Sequence, residues 1–183
     1  MKYSCQDLQQ SVYFAPRALR HCCQRFFVDG KIRGDVEILK AKSDKDIDPK
    51  KIIEEKKKII KNLNTNIPTP CDGCPKIQLK KWSEEIKINK ISVEAHSKCN
   101  ARCSYCSDVF YGGLNPNYDL EVMLKNFKDN NFFDSNVAIT WGGGEPVLLK
   151  NFDHIFEKFM NSTEPNFNDA RVYSNSIIYN KSI

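Results

Sequence analysis

The 183-residue sequence has no uninterrupted apolar run approaching the ~20 residues of a membrane-spanning helix. Its first residues, Met1-Lys-Tyr-Ser-Cys5-Gln-Asp7, also lack the apolar stretch of a signal peptide, so the expected compartment is the cytoplasm. An excess of one charge is missing too: 28 basic residues against 23 acidic ones leave a net charge of +5. The basic side chains are mostly Lys mixed among Glu and Asp, which reads as solubility and not as a nucleic-acid footprint. No aromatic residues interleave the densest basic run, Lys56-Lys57-Lys58. It is therefore expected to be a solvated helix face rather than a phosphate- or base-binding patch. What remains, 40% hydrophobic and 28% charged residues, is the balance of a globular protein. The length suits one domain, or one small domain attached to part of a larger one.

Cysteine, by contrast, is plentiful. Eight cysteines in a reducing compartment are poor candidates for disulfides, which directs attention to metal ligation or redox chemistry. Five of them, Cys5, Cys22, Cys23, Cys71 and Cys74, fall within residues 1–82, a stretch without sustained alternation of strand and helix patterns. We expect an accessory region there, with a boundary near Trp82. Residues 40–51 are polar and read as a loop or linker. A helix is expected next, with Ile52, Ile53, Ile59, Ile60 and Leu63 on one face and Glu54 placed to pair with Lys58. Pro68 and Pro70 end it and deliver the chain to Cys71-Asp-Gly-Cys74-Pro75. That C-x2-C spacing is a metal knuckle, which Cys5, Cys22 or Cys23 would complete around zinc or a second iron–sulfur cluster. Buried, unligated thiols are the other reading, and spacing does not choose between them. His21 and His154 read as ordinary surface or helix residues.

From Ile86 the pattern becomes regular. Ile91, Val93 and Ala95 alternate with Ser92, Glu94 and His96 as in a strand. Asp119 stands as an N-cap before Leu120, Met123, Leu124 and Phe127, which recur at helical spacing. Val137, Ile139 and Trp141 mark a second strand, Phe152, Ile155, Phe156 and Phe159 a second helix, and residues 170–175 a third strand. Alternating strands and helices imply parallel pairing with right-handed crossovers, in a doubly wound sheet or a β/α barrel. Three strands and two helices neither close a barrel nor cover both faces of a sheet, so the chain is expected to be part of a longer protein.

The strongest motif follows the first of these strands: Cys99-Asn-Ala-Arg-Cys103-Ser-Tyr-Cys106, a C-x3-C-x2-C group on one short loop. Three thiolates converging on an iron–sulfur cluster leave one iron open to a ligand, because such clusters otherwise take four cysteines. A zinc site completed by His96 is the competing reading. A second motif, Trp141-Gly-Gly-Gly-Glu145-Pro146, ends the second strand. Successive glycines let backbone approach a ligand and a carboxylate accepts from an ammonium, although a glycine triplet also makes a tight turn. Ser174 and Asn175 end the third strand, either as polar contacts or as a simple Asx or Ser turn. All three groups lie past strand C-termini, the rim where β/α barrels gather function.

Over about residues 86–183 the chain resembles the radical S-adenosylmethionine (SAM) superfamily, whose signature is C-x3-C-x-aromatic-C, with Tyr105 at the aromatic position. The resemblance implies an α/β fold, a partial (β/α) TIM-like barrel of the radical SAM type over residues 83–183, with residues 1–82 as a cysteine-containing accessory region. It implies that Cys99, Cys103 and Cys106 ligate a 4Fe–4S cluster and that SAM chelates the fourth iron. It further implies that Tyr105, Gly143, Gly144, Glu145, Ser174 and Asn175 contribute to cofactor binding. The activity implied is reductive cleavage of SAM to methionine and a 5′-deoxyadenosyl radical that acts on a substrate the sequence does not name. An electron donor such as a flavodoxin or ferredoxin is the implied partner, with no membrane and no nucleic acid. Auxiliary clusters in the family commonly follow the barrel, whereas these extra cysteines precede it. A non-catalytic zinc- or iron–sulfur-binding module is the alternative.

Overall fold

The computed structural model describes residues 1–104, 106, 113–162 and 167–177. It is mixed α/β. A first strand, β1 (Lys2–Ser4), leads into a short helix α1 (Gln6–Gln10), then β2 (Ser11–Ala15) and β3 (Ala18–Arg20). A hairpin of β4 (Arg25–Val28) and β5 (Lys31–Gly34) follows, then β6 (Glu37–Lys40) and the long helix α2 (Pro49–Leu63). Next come β7 (Gln78–Lys80), β8 (Ile88–Val93), α3 (Leu120–Asp129), β9 (Phe133–Trp141), α4 (Phe152–Ser162) and β10 (Phe167–Val172).

Six strands form one sheet in the order β10-β9-β8-β2-β3-β6. β10, β9, β8 and β2 run parallel, and β3 and β6 add antiparallel at the far side. The helices α3 and α4 are the crossovers β8→β9 and β9→β10, as the alternating pattern requires. β2, β3 and β6 lie before Trp82 and β8 to β10 after it, so the sheet joins the two regions that composition separates. The first region thus supplies strands that its irregular sequence pattern does not announce. Among the described residues the sheet ends at β10 on one side and β6 on the other. No described helix is long and apolar enough to cross a membrane.

The two-residue period of the strands sorts side chains onto two different faces. Val12, Phe14, Ile91, Val93, Val137, Ile139 and Trp141 are buried beneath the helices. There Phe14 meets Phe127 of α3 (centroids 5.8 Å apart) and Phe159 of α4 (6.3 Å), while Trp141 meets Phe152 and Phe159 edge-on, each at 5.2 Å. These tilted contacts are the favoured aromatic arrangement and form the centre of the core. On the opposite face, Tyr13, Lys90, Ser92, Glu94, Thr140 and Arg171 line an open cavity of about 520 Å³.

Helix starts follow local chemistry. Asp119 accepts from the backbone of Glu121 and Val122 and fixes α3, and Asp48 accepts from Lys50 ahead of Pro49 to fix α2. Two side chains of α2 depart from expectation. Lys58 reaches Glu55 at 3.3 Å rather than Glu54. Lys56, in the run expected to be solvated, is 0% exposed and extends inward along the line of Ile52, Ile59 and Ile60.

Candidate functional site

Because β8, β9 and β10 are parallel neighbours, the loops that leave their C-terminal ends meet at one edge of the sheet. The β9 loop lies directly on the β8 loop: Gly142, Gly144 and Glu145 donate their backbone N–H groups to the carbonyls of Val93, His96 and Lys98. This explains the glycines. A Cβ on Gly144 would stand 2.1 Å from the Lys98 carbonyl oxygen, and one on Gly143, whose φ is +97°, would stand 2.9 Å from Glu94 Cα. At Gly142 the nearest atom would be 4.0 Å away. The triplet therefore serves close packing of one loop on another, and only its second and third members are required for it.

That packing aims Glu145, 1% exposed, at the β10 loop. Its carboxylate accepts from the Ser174 hydroxyl at 2.9 Å and from the Asn175 backbone N–H at 2.7 Å. The Asn175 side-chain amide turns the other way, to Cys99 Sγ at 3.6 Å and the Asn100 side-chain carbonyl at 2.8 Å. One asparagine thus ties Cys99 to Glu145. β10 ends at Val172, earlier than the sequence pattern suggests, because the chain leaves the ladder to make these contacts. Ser174 and Asn175 are therefore loop residues past the strand and not its last members.

Of the expected site residues, Cys99, Gly143, Gly144, Glu145, Ser174 and Asn175 are brought together. Cys103 and Cys106 follow in a turn closed by the Cys106 N–H on the Cys103 carbonyl at 3.0 Å. Tyr105 lies outside the described residues. Among the described residues no three His, Cys, Asp or Glu side chains are gathered closely enough to grip a single metal ion. His96 is buried beside Pro146 and Glu145, and burial lowers its pKa below the usual histidine value. The donors on the cysteine loop are three thiols, the chemistry that iron–sulfur clusters take.

The cavity on the far side of Gly142 and Gly143 was not expected from the sequence, because the strand period alone does not say which face is covered. Glu94 is half-buried in it, and loss of hydration raises its pKa above the ordinary carboxylate value. Tyr13 and Cys23 meet in the same cavity. Of the other accessory cysteines, Cys5, Cys22 and Cys71 are buried and Cys74 is half-buried.

No family model, no curated protein and no solved structure matches the chain.

Proposed function

We propose that the protein is a radical SAM enzyme in which Cys99, Cys103 and Cys106 hold a 4Fe–4S cluster and the β9 and β10 loops bind SAM. Cluster and cofactor together supply a one-electron cleavage that gives methionine and a 5′-deoxyadenosyl radical, drawing on a donor such as flavodoxin or ferredoxin. The observation that carries this reading is the tie made by Asn175 between Cys99 and Glu145. Three motifs far apart in sequence converge on one patch at the C-terminal rim, where α/β folds bind ligands.

The chain's own residues divide the work. Glu145 keeps acceptor sites beyond those used by Ser174 and Asn175 and offers them to the amino group of SAM. The close-packed Gly143-Gly144 segment holds that carboxylate still, so the cofactor meets a preorganised acceptor. Ser174 and Asn175 orient Glu145 from the other side. The cavity lined by Tyr13, Glu94 and Arg171 lies beside the glycine segment and supplies room for a polar substrate. The reading is tested by anaerobic reconstitution followed by assay of SAM cleavage under reduction. It predicts release of 5′-deoxyadenosine by the wild-type chain and none by Cys99→Ala. It also predicts that Glu145→Gln weakens SAM binding about tenfold, roughly the worth of one charge-assisted hydrogen bond, while iron content holds. A chain that carries only zinc and never releases the nucleoside contradicts it.

A further inference from the structure

We propose that the recess between α1, β7 and β8 binds a small phosphate-bearing ligand, gripped by Lys76, Lys80 and Lys90. The inference does not rest on how the Cys99 loop functions.

The recess is a cavity of about 600 Å³, a size within the range of about 300 to 1,000 Å³ usual for small-molecule sites. Three segments build its walls. On α1, Gln6 and Gln10 stand about one turn apart and share a face. On β7, Gln78 and Lys80 share a face by the two-residue period, and Lys76 precedes them. On β8, Lys90 lies with Ser92 and Glu94 on the face turned away from α3 and α4. The antiparallel pairing of β7 with β1, which leads straight into α1, brings these walls together. The three lysines do not form a run in the sequence, so only the fold gathers them.

Charge in the recess is unbalanced. Asp7 is the one carboxylate of its lining, and that carboxylate is occupied by the Ser11 hydroxyl at 2.9 Å. Lys76, Lys80 and Lys90 form no ion pair among the described residues, whereas nearby Lys2 and Lys87 hold Glu84 at 3.0 Å and Glu85 at 3.6 Å. Lys80 has an aromatic face for its partner instead: its ammonium stands 3.8 Å from the centroid of the Trp82 ring. The Trp82 indole N–H is fixed on the Gln78 carbonyl at 3.0 Å, so the ring is a firm wall. A cation over an exposed ring is held weakly, and an anion can draw it off.

The side-chain amides of Gln6, Gln10 and Gln78 likewise make no hydrogen bond among the described residues. Ammonium groups and amides that line one recess with their N–H donors unspent call for an acceptor with many oxygens. A phosphate group offers more of these than a carboxylate, and lysine is a usual point-charge binder for it. Lys90 also borders the cavity of Tyr13 and Glu94, so the two spaces adjoin at its side chain and leave room for the organic part of a ligand.

The test is isothermal titration calorimetry of the full chain with inorganic pyrophosphate, and in a second arm with adenosine diphosphate. The expected result is one saturable site whose affinity falls as salt is raised. Lys76→Ala, Lys80→Ala and Lys90→Ala should each weaken it about fivefold, the scale of one exposed charge-assisted contact, and the triple variant should abolish it. Lys57→Ala with Lys61→Ala, which removes two exposed lysines of α2 outside the recess, should leave it unchanged. Tryptophan fluorescence supplies an independent readout: Trp141 is buried in the core, so a change on pyrophosphate addition reports on Trp82 and should vanish in Lys80→Ala. Tighter lysine-dependent binding of adenosine diphosphate than of pyrophosphate supports the site as one for nucleotides, and the reverse supports recognition of the phosphates alone. The absence of saturable binding overturns the proposal, as does an equal loss in the α2 double variant, which would show diffuse surface charge only.

Discussion

Gly142, Gly143 and Gly144 look equivalent in the sequence, but the Lys98 carbonyl beneath Gly144 separates them. Gly144→Ala is predicted to destabilise the protein by about 3 kcal/mol, since backbone must move to admit the methyl group, whereas Gly142→Ala stays within about 1 kcal/mol. Chemical denaturation of the two variants side by side checks this, and equal losses would show that the loops do not pack as described. Glu94 makes a different prediction. Its pKa is raised by burial, so the folded state holds a proton that the unfolded chain releases, and stability falls as pH rises from the ordinary carboxylate value through the raised one. Glu94→Gln should therefore be more stable than wild type at pH 7 and lose that part of the pH dependence, as thermal melts across pH 4 to 8 can establish. Single residues also mark the limit of sequence reading. Lys56 sits in a run of lysines that looks like a solvated face, yet it is the one that enters the core. Nothing in the run distinguishes it; the reason lies in the carbonyls of α1 and of Ser11 at the start of β2, brought near only by the fold. His21, read from the sequence as an ordinary surface or helix residue, is instead 1% exposed just past β3, because its contact with Cys71 spans 50 residues and only the fold makes it.

At the scale of elements, helices were the easiest to read, because their apolar spacing and their caps are local. Asp119 and the stripe Leu120, Met123, Leu124 and Phe127 fall where the pattern puts them, with all four apolar residues buried. Asp119→Ala should cost about 1 kcal/mol, the usual worth of an N-cap, measurable by chemical denaturation with the slope unchanged. Phe159→Ala, which empties the site between Phe14 and Trp141, should cost about 3 to 5 kcal/mol. Strand ends were harder. The third strand was expected over residues 170–175 and occupies Phe167–Val172, because Glu145 draws Ser174 and Asn175 away from the ladder. The short strands β2, β3 and β6 carry little periodic signal, and their pairing partners lie far along the chain.

For the whole molecule, the sheet runs from β6 to β10 through both compositional halves, so the N-terminal region contributes to the scaffold that carries the Cys99 loop. The three C-terminal motifs were visible in the sequence as separate signals, and their order after successive strands indicated one rim. The bond from Asn175 to Cys99 could not be read there, since it depends on how neighbouring strands are registered. The central claim is that this rim binds SAM at a cluster held by Cys99, Cys103 and Cys106. Its most direct test is electron paramagnetic resonance of the anaerobically reconstituted, reduced chain with and without SAM. The account predicts a cluster signal that SAM changes, and whose SAM-sensitive part disappears in the Cys99, Cys103 and Cys106 triple alanine variant. A wild-type spectrum that SAM leaves untouched would contradict it.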